Sequence, residues 1–385
     1  MLDRADKTNN NMYLKDHSLF NLVAKTRPHD GEEAIRFLLF CLAFLQPKST
    51  LELARLARLP LPLTAAIRKE SEKAGILSRG SGLRLQDRGI RLAEELFGIK
   101  PFSWRETRDD LLHKVKVKLE EYIGSRPRFD RALDQSHATL DTLVQRVAYL
   151  FRHDCLAGRQ FVLLGDDDFT SLAAGFFLQA LGLARDGRSL VNVFELDARI
   201  VNALTAAARS EKLALKVHAH DLRRPIAGEF ADRFDAAFTD PPYTANGSLL
   251  FAVRALPLLR WGTGRRVLIC LPRMKRDILH TVQRDLAARG LLLEDVIRDF
   301  NTYQGNSLYA HKSDLYVYST GPVTDAGEPA VEQLYTADCN PKTKDYLCNT
   351  CGKVLPTGPG RPHTIDGLKH DGCPFCGGKH FTRKP

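Results

Sequence analysis

The stretch Phe161-Val-Leu-Leu-Gly-Asp-Asp-Asp168 decides the fold class. Four apolar residues run directly into a glycine and three acids, and a helical pattern follows from Thr170 to Leu181. Further short apolar runs, separated by helical segments, lie at residues 191–194, 215–217, 236–239 and 267–270. This alternation predicts parallel strands covered by helices, and therefore an α/β domain over residues 159–325.

The sequence before this domain has a different pattern. Three helical segments (Glu33–Leu45, Leu51–Ala57 after a Ser49-Thr50 cap, Leu63–Ala74) precede two short strands at 76–77 and 83–85. This order predicts a winged helix-turn-helix domain within residues 1–100. It suits either DNA binding through Arg68, Lys69 and Lys73 of the third helix or a dimerisation and docking role. Residues 101–158 are predicted to form a helical connector, with helices at Trp104–Ile123 and Leu133–Phe151.

The net charge of +10 is unevenly distributed along the chain. Residues 1–150 hold 26 basic and 20 acidic side chains and residues 341–385 hold 8 and 3, whereas residues 161–246 hold 9 and 12. The basic surface is thus expected on the flanks, around a mildly acidic central segment. The N-terminus is polar, and no run of about 18 apolar residues occurs, which predicts a cytoplasmic protein without a membrane span.

The acids after the first strand restrict the ligand. In dinucleotide-binding folds a glycine-rich turn at this place brings phosphates to a helix N-terminus, and Asp166, Asp167 and Asp168 would repel them. A cationic donor fits better, and decarboxylated S-adenosylmethionine, whose tail ends in an ammonium group, fits better than S-adenosylmethionine itself. Two other interpretations of these acids remain. Asp168 would cap the helix that follows, or the clustered carboxylates would hold Mg²⁺.

Three further acids follow the next strands. Glu195 stands where nucleoside-binding α/β folds hydrogen-bond ribose hydroxyls, and Asp197 beside it also suits a helix cap. Asp221 follows the third strand and is expected to meet the adenine amino group. His218 and His220 are interpreted as local structural residues.

The fourth strand ends in Thr239-Asp-Pro-Pro-Tyr243. The two prolines stiffen the turn and remove two backbone donors, so that Asp240 and nearby carbonyls face the cleft. Such a loop suits an amine nucleophile, and Tyr243 can stack on a planar group or contact an ammonium ion.

The C-terminal segment carries Cys348-x-x-Cys351 and Cys373-x-x-Cys376, each pair followed directly by glycine. Four thiolates on two such turns are typical of a structural Zn²⁺ site, which predicts a zinc ribbon over residues 335–385. The remaining cysteines, Cys41, Cys155, Cys270 and Cys339, are interpreted as structural.

Taken together, the motifs resemble the branched-chain polyamine synthases, the N4-bis(aminopropyl)spermidine synthases. The resemblance rests on the segments at residues 164–171, 194–197, 220–225, 234–244 and 297–303 and spans roughly residues 30–320. It implies a Rossmann-like, methyltransferase-type parallel sheet, preceded by the winged-helix domain and followed here by the added zinc ribbon. It also implies a homodimer that moves aminopropyl groups from decarboxylated S-adenosylmethionine to spermidine without a metal in the chemistry.

In this hypothesis Asp166, Asp167, Asp168 and Asp240 are catalytic, with a base among the three successive acids. Donor binding is assigned to Gly165, Glu195, Asp197, Asp221, Pro241 and Tyr243. The alternative is a methyltransferase that uses S-adenosylmethionine to modify amino groups of DNA or RNA. Such enzymes share the Asp-Pro-Pro-Tyr loop, and this function would explain the winged helix, the ribbon and the basic flanks. A transcription factor with a degenerate ligand-sensing domain is a third, non-enzymatic interpretation.

Overall fold

The computed structural model describes residues 17–80, 82–185, 187–304, 311–322, 327–339, 344–357, 363 and 365–384. Its N-terminal part contains helices α1 (His17–Thr26), α2 (Gly31–Phe40) with a π-helical turn (Cys41–Leu45), α3 (Thr50–Ala57), α4 (Leu61–Lys73), strands β1 (Leu77–Arg79) and β2 (Leu83–Leu85), and helix α5 (Asp87–Phe97). The order of α2, α3 and α4 followed by an antiparallel strand pair is the predicted one, with α1 added before it and α5 after it. The Ser49 hydroxyl accepts the Glu52 N–H at 3.1 Å and caps α3 as expected.

The connector contains helix α6 (Trp104–Ile123), which has the predicted bounds, and helix α7 (Leu140–Arg152). The predicted start of the second helix at Leu133 is wrong. Residues Arg131–Leu133 form a 3-10 turn, and α7 begins only after Thr139, whose hydroxyl accepts the Thr142 N–H. Because the chain is non-helical from 134 to 139, this loop can reach the edge of the central sheet.

The central sheet has the strand order β5-β4-β3-β6-β7-β9-β8. The strands are β3 (Gln160–Leu164), β4 (Leu190–Glu195), β5 (Leu215–Ala219), β6 (Ala236–Thr239), β7 (Arg266–Leu271), β8 (Leu291–Thr302) and β9 (Lys312–Thr320). β3 to β7 are parallel as predicted, whereas β9 and β8 run antiparallel at one edge. The order reverses at β3, which has β4 on one side and β6 on the other. In open α/β sheets, ligands bind beyond the carboxyl ends of the strands at such a reversal.

Helices cover both faces of this sheet. They are α8 (Thr170–Ala180), α9 (Ala198–Ser210), α10 (Ala245–Ala255) and α11 (Arg276–Ala288). Because strand residues alternate between faces, Phe161 and Leu163 enter one hydrophobic core and Val162 and Leu164 enter the other. β3 is therefore buried on both faces, and the loop after it is held at the centre of the molecule.

The N-terminal helices and the sheet share one continuous core, which crosses the predicted boundaries at residues 100 and 158. Buried ion pairs also join residues on opposite sides of these boundaries. Arg36 donates to Asp154 at 3.0 Å, and Arg159 binds Glu33 at 2.7 Å and Asp154 at 2.5 Å. The N-terminal helices are thus integrated with the central sheet.

The C-terminal part contains helix α12 (Thr336–Cys339), strand β10 (Lys344–Cys348), strand β11 (Val354–Thr357), helix α13 (Ile365–Asp371) and strand β12 (Phe381–Arg383). Its three strands form an antiparallel sheet in the order β11-β10-β12. Across the described ranges, no single helix has the length and apolar character needed to span a membrane, although the bent pair Gly31–Leu45 and Thr50–Ala57 meets that test jointly.

Candidate active site

The loop between β3 and α8 places the three successive acids in different environments. Gly165 has φ +74°, and a Cβ there would lie 3.0 Å from the Phe251 ring, so only glycine fits without strain. Asp166 accepts the Ser171 N–H at 2.9 Å through Oδ2, and its Oδ1 is buried without a hydrogen-bond partner among the described residues. Asp167 accepts the Ser136 N–H at 2.8 Å from the connector loop.

Asp168 does not line the cleft. It accepts the Arg146 guanidinium at 2.5 Å and the Thr170 hydroxyl at 2.8 Å. Burial alone would raise the pKa of this carboxyl, but the Arg146 charge and these hydrogen bonds lower it. Asp168 is therefore an ionised partner of Arg146, and both of its carboxylate oxygens are engaged by the protein.

Arg146, on α7, was not singled out from the sequence. Its buried guanidinium donates to Asn301 at 2.8 Å, to Thr170 at 2.6 Å and to Asp240 at 2.6 Å, in addition to Asp168. One signal was available, because Arg146 lies between Leu143 and Val147 on the apolar face of an amphipathic helix. An arginine on that face must have buried acceptors.

Asp240 follows β6 and lies next to Arg146. Its Oδ2 accepts both the Arg146 guanidinium and the Tyr303 hydroxyl, each at 2.6 Å, while Oδ1 is buried with no hydrogen-bond partner in the described part of the chain. Burial raises the pKa of Asp240 to about 6, although Arg146 and Tyr303 oppose the shift. Tyr303 belongs to the segment at residues 297–303, which contributed to the family resemblance but for which no role in the site was predicted.

The other residues of the proline loop lie differently from expectation. Pro242 lines the cleft, whereas Pro241 is buried and is not part of the lining. Tyr243 is half-buried and is not part of the lining, and burial together with the nearby Asp240 and Asp167 raises the pKa of its hydroxyl well above its usual value.

The acids that follow β4 and β5 also differ in whether they line the cleft. Glu195 is buried in the cleft wall, and its two oxygens accept the N–H groups of Asp166 and Asp197 at 2.8 Å. Asp197 caps α9 by accepting the Arg199 N–H at 2.9 Å, and it does not line the cleft. Asp221 lines the cleft while pairing with Arg223.

These elements enclose a cleft of about 610 Å³, part of it open to solvent. The predicted residues that line it are Gly165, Asp166, Asp167, Glu195, Asp221 and Asp240. The lining residues without a predicted role are Leu133, Asp134, Gln135, Phe194, Leu196, Leu222, Arg223, Pro242, Leu250, Phe251, Leu334 and Tyr335, together with His220, which was interpreted as structural.

The electrostatics of this cleft favour a cation. Six of its lining residues carry carboxylates, and the single Lys or Arg in the described lining is Arg223, which already pairs with Asp221. Burial and the neighbouring Asp168 raise the pKa values of Asp166 and Asp167 well above the usual range, with Asp240 adding to the effect at Asp167. Carboxylates crowded in this way favour a ligand that brings positive charge.

The four C-terminal cysteines converge at a second place. The Sγ atoms of Cys348 and Cys376 are 3.6 Å apart, those of Cys351 and Cys373 are 3.7 Å apart, and all four lie within 4.8 Å of one another. Tetrahedral Zn²⁺ with Zn–S bonds of about 2.3 Å requires sulfur–sulfur distances of about 3.8 Å. The donor set therefore fits zinc.

Comparison with known proteins agrees with the motifs. The family model described as branched-chain polyamine synthase A C-terminal domain matches residues 113–334. An uncharacterized protein of Methanocaldococcus jannaschii is 29% identical over 94% of this chain and 91% of its own length. The N(4)-bis(aminopropyl)spermidine synthase of the same organism is 26% identical over 73% of this chain and 80% of its own length.

A solved structure shares the fold. The branched-chain polyamine synthase from Thermus thermophilus, crystallised with N4-aminopropylspermidine and 5'-methylthioadenosine, matches with a TM-score of 0.51 at 24% identity. The match covers 82% of this chain and 96% of that one.

The replacement Arg146→Met is expected to lower the free energy of unfolding by about 3–5 kcal/mol, because Asp168 and Asp240 lose their buried counter-charge. Urea denaturation at neutral pH measures the effect. Adding Asp168→Asn should restore part of the loss by removing one of the two stranded charges.

Arg152→Met is the matched control, because Arg152 is exposed on the same helix. It should change the free energy of unfolding by no more than about 0.5 kcal/mol. Equal losses for the two arginines would contradict the role of Arg146 as a buried counter-ion.

Proposed function

The chain belongs to the branched-chain polyamine synthase family, and from this premise we propose that it transfers aminopropyl groups from decarboxylated S-adenosylmethionine to a polyamine such as spermidine. The observation that carries the proposal is the acidic cleft at the reversal of strand order, where Asp166 and Asp240 each keep one buried carboxylate oxygen unpartnered among the described residues. Both the donor, a sulfonium with an ammonium tail, and the acceptor, a polyamine, are cations.

The nucleoside part of the donor fits the β4 and β5 side of the cleft. Each Glu195 oxygen accepts one backbone N–H and retains a second lone pair for a ribose hydroxyl. Asp221, Leu250 and Phe251 line the same part of the cleft, and in this proposal Asp221 accepts from the adenine amino group while Leu250 and Phe251 supply apolar contacts for the ring. These residues orient the sulfonium carbon toward the β3 and β6 strand ends.

The acids at those two strand ends serve the charged groups. Asp166 and Asp167 neutralise ammonium groups of the donor tail and the acceptor. Asp240 takes the proton of the attacking nitrogen through Oδ1, and a carboxyl with a pKa of about 6 is well matched to that task near neutral pH. Arg146 and Tyr303 hold Oδ2 and so orient Oδ1.

The reaction is a single displacement. The nitrogen lone pair forms the new N–C bond at the carbon next to sulfur, the C–S bond breaks, and its electron pair stays on sulfur in methylthioadenosine. The proton lost by the amine passes to Asp240 and then to solvent. Asp168 and Asp197 take no part in this step, since Asp168 pairs with Arg146 and Asp197 caps α9.

The acidic cleft also weighs against the nucleic-acid methyltransferase. In addition, two of the three basic side chains proposed for DNA binding on α4 are paired, Arg68 with Glu72 and Lys73 with Glu70, each at 2.6 Å. These acids reduce the positive potential that a phosphate backbone requires.

The ribbon has a structural part in this proposal. Cys348, Cys351, Cys373 and Cys376 would hold Zn²⁺ with all four positions filled by thiolates, which leaves none for substrate. The homodimer, the cytoplasmic location and nucleic-acid binding by the winged helix or the ribbon stay predictions.

We expect the protein to form methylthioadenosine from decarboxylated S-adenosylmethionine and spermidine, and not to form S-adenosylhomocysteine from S-adenosylmethionine with DNA or RNA. Mass spectrometry of both reactions separates the two enzymes. Asp240→Asn should lower aminopropyl transfer by about 10²–10⁴-fold, the range for loss of a positioned base, while circular dichroism stays unchanged. Turnover in the second reaction alone would refute the proposal.

The pH dependence tests the role of Asp240. Since the base must be ionised, kcat/KM should fall as the pH drops through about 6. Tyr303→Phe removes a hydrogen bond that lowers this pKa, so the fall should begin at higher pH. The parent-to-variant ratio of kcat/KM should then rise as the pH falls, and taking the ratio cancels the ionisation of the amine.

Tyr318→Phe is the control, because the buried Tyr318 hydroxyl has no hydrogen-bond partner among the described residues. Its ratio to the parent should stay constant across the pH range. A constant ratio for Tyr303→Phe as well would remove Asp240 from the role of base.

We expect about one zinc ion per chain, measured by elemental analysis of protein purified without added metal. Cys373→Ser should lose the metal and speed hydrogen exchange in residues 344–384, because metal binding supplies much of the stability of such small modules. Cys155→Ala, outside the cluster, should retain it. Full zinc content in Cys373→Ser would contradict the ribbon site.

A further inference from the structure

A short segment after the central sheet crosses the cleft from one wall to the other. We call residues 332–336 the strap. On one side the Thr244 hydroxyl donates to the Leu334 carbonyl at 2.5 Å, and Asn246 donates to the Glu332 carbonyl at 3.0 Å. On the other side the Thr336 N–H donates to Asp134 at 2.7 Å. Both anchors belong to segments that help form the cleft, because Pro242 and Asp134 line it.

The approach of the strap to α10 depends on a glycine. A Cβ on Gly247 would lie 2.5 Å from the Leu334 carbonyl oxygen and 2.8 Å from the Pro242 side chain. Both contacts are too short for a side chain, so the first turn of α10 is shaped to receive the strap. Thr244 caps the same turn, with its hydroxyl 2.9 Å from the Gly247 N–H.

The strap presents a buried leucine and a half-buried tyrosine to the cleft. Leu334 and Tyr335 line the same space as Glu195 and Asp221. The Tyr335 backbone is fixed because Asp338 accepts its N–H at 3.0 Å. Burial raises the pKa of the Tyr335 hydroxyl to about 12, with Asp221 and Glu195 adding to the rise against Arg223, which is consistent with a ring beside the acids of the nucleoside end.

We propose that the strap is part of the nucleoside-binding site, and that Leu334 and Tyr335 contact the purine nucleoside of the donor and of the released product. This inference rests on the proposed function for the identity of the nucleoside. An apolar side chain and an aromatic ring suit a flat purine, whereas Glu195 and Asp221 in the same lining suit the ribose hydroxyl groups and the adenine amino group. The strap is thus a specificity element for the donor, and the acceptor polyamine binds at the β3 and β6 strand ends.

The test measures binding of methylthioadenosine to the full chain by titration calorimetry, without turnover. Tyr335→Ala should weaken binding by roughly tenfold, the order expected for loss of one aromatic contact to a base. Tyr335→Phe, which keeps the ring, should recover most of it. Gly247→Ala should also weaken binding although Gly247 does not line the cleft, because it displaces the strap.

Gly175→Ala is the matched control for Gly247→Ala. Gly175 lies within α8, where a Cβ would press on the flexible Leu213 side chain at 3.1 Å, away from the strap. The affinity of Gly175→Ala for methylthioadenosine should equal that of the parent. In steady state, Tyr335→Ala should raise KM for the donor and leave KM for spermidine unchanged, a distinction that general damage to the fold would not produce.

Hydrogen exchange on the parent provides a second measurement if Tyr335→Ala folds poorly. Methylthioadenosine should slow exchange in residues 330–339 together with residues 190–197. Protection of 190–197 alone, or an unchanged dissociation constant for folded Tyr335→Ala, would overturn the strap proposal. Failure of the parent to bind methylthioadenosine while it binds S-adenosylhomocysteine would instead overturn the proposed function, so the two failures are distinguishable.

Discussion

One buried guanidinium, that of Arg146, connects the strand ends on which the site is built. It binds Asp168 after β3 and Asp240 after β6, and it reaches Asn301 on the antiparallel edge strand β8. The planar guanidinium allows this, since it spreads five N–H donors over three nitrogen atoms, whereas a lysine offers three donors from a single nitrogen. The reversal of strand order opens a crevice between β3 and β6, and Arg146 fixes the acids on its two sides at a defined separation.

This arrangement divides the acids into two classes. Asp168 and the Oδ2 atom of Asp240 are neutralised by the protein, whereas Asp166, Asp167 and the Oδ1 atom of Asp240 are not. Crowding uncompensated carboxylates costs stability in the free protein, and bound cations would relieve that cost. The cleft can therefore discriminate by charge, because an anionic ligand would add to the repulsion that a cationic ligand removes. The basic flanks do not alter this, since they lie outside the lining.

The sequence predicted the sheet and most of the acids because strand ends carry a strong local signal. Apolar runs that stop at Gly165 and at Asp240 place those residues at the carboxyl edge whatever the details of packing. The direction in which each acidic side chain points could not be predicted from the sequence in the same way. Asp168 and Asp197 are adjacent to lining residues in sequence, yet one turns toward Arg146 and the other caps α9. Arg146, Tyr303 and Leu334 reach the site from distant parts of the chain, and single-sequence patterns do not reveal such long-range contacts.

The position of the strap limits how this molecule can be divided. The predicted catalytic domain ended at 325 and the predicted ribbon began at 335, so the strap covers the end of the gap between them and the first two residues of the predicted ribbon. Leu334 and Tyr335 nevertheless complete the cleft wall. The predicted ribbon and the central sheet consequently cannot be separated as independent modules, since a boundary placed between them would remove part of the cleft wall. A chain that exchanged its C-terminal module during evolution would have had to keep these few residues with the catalytic half.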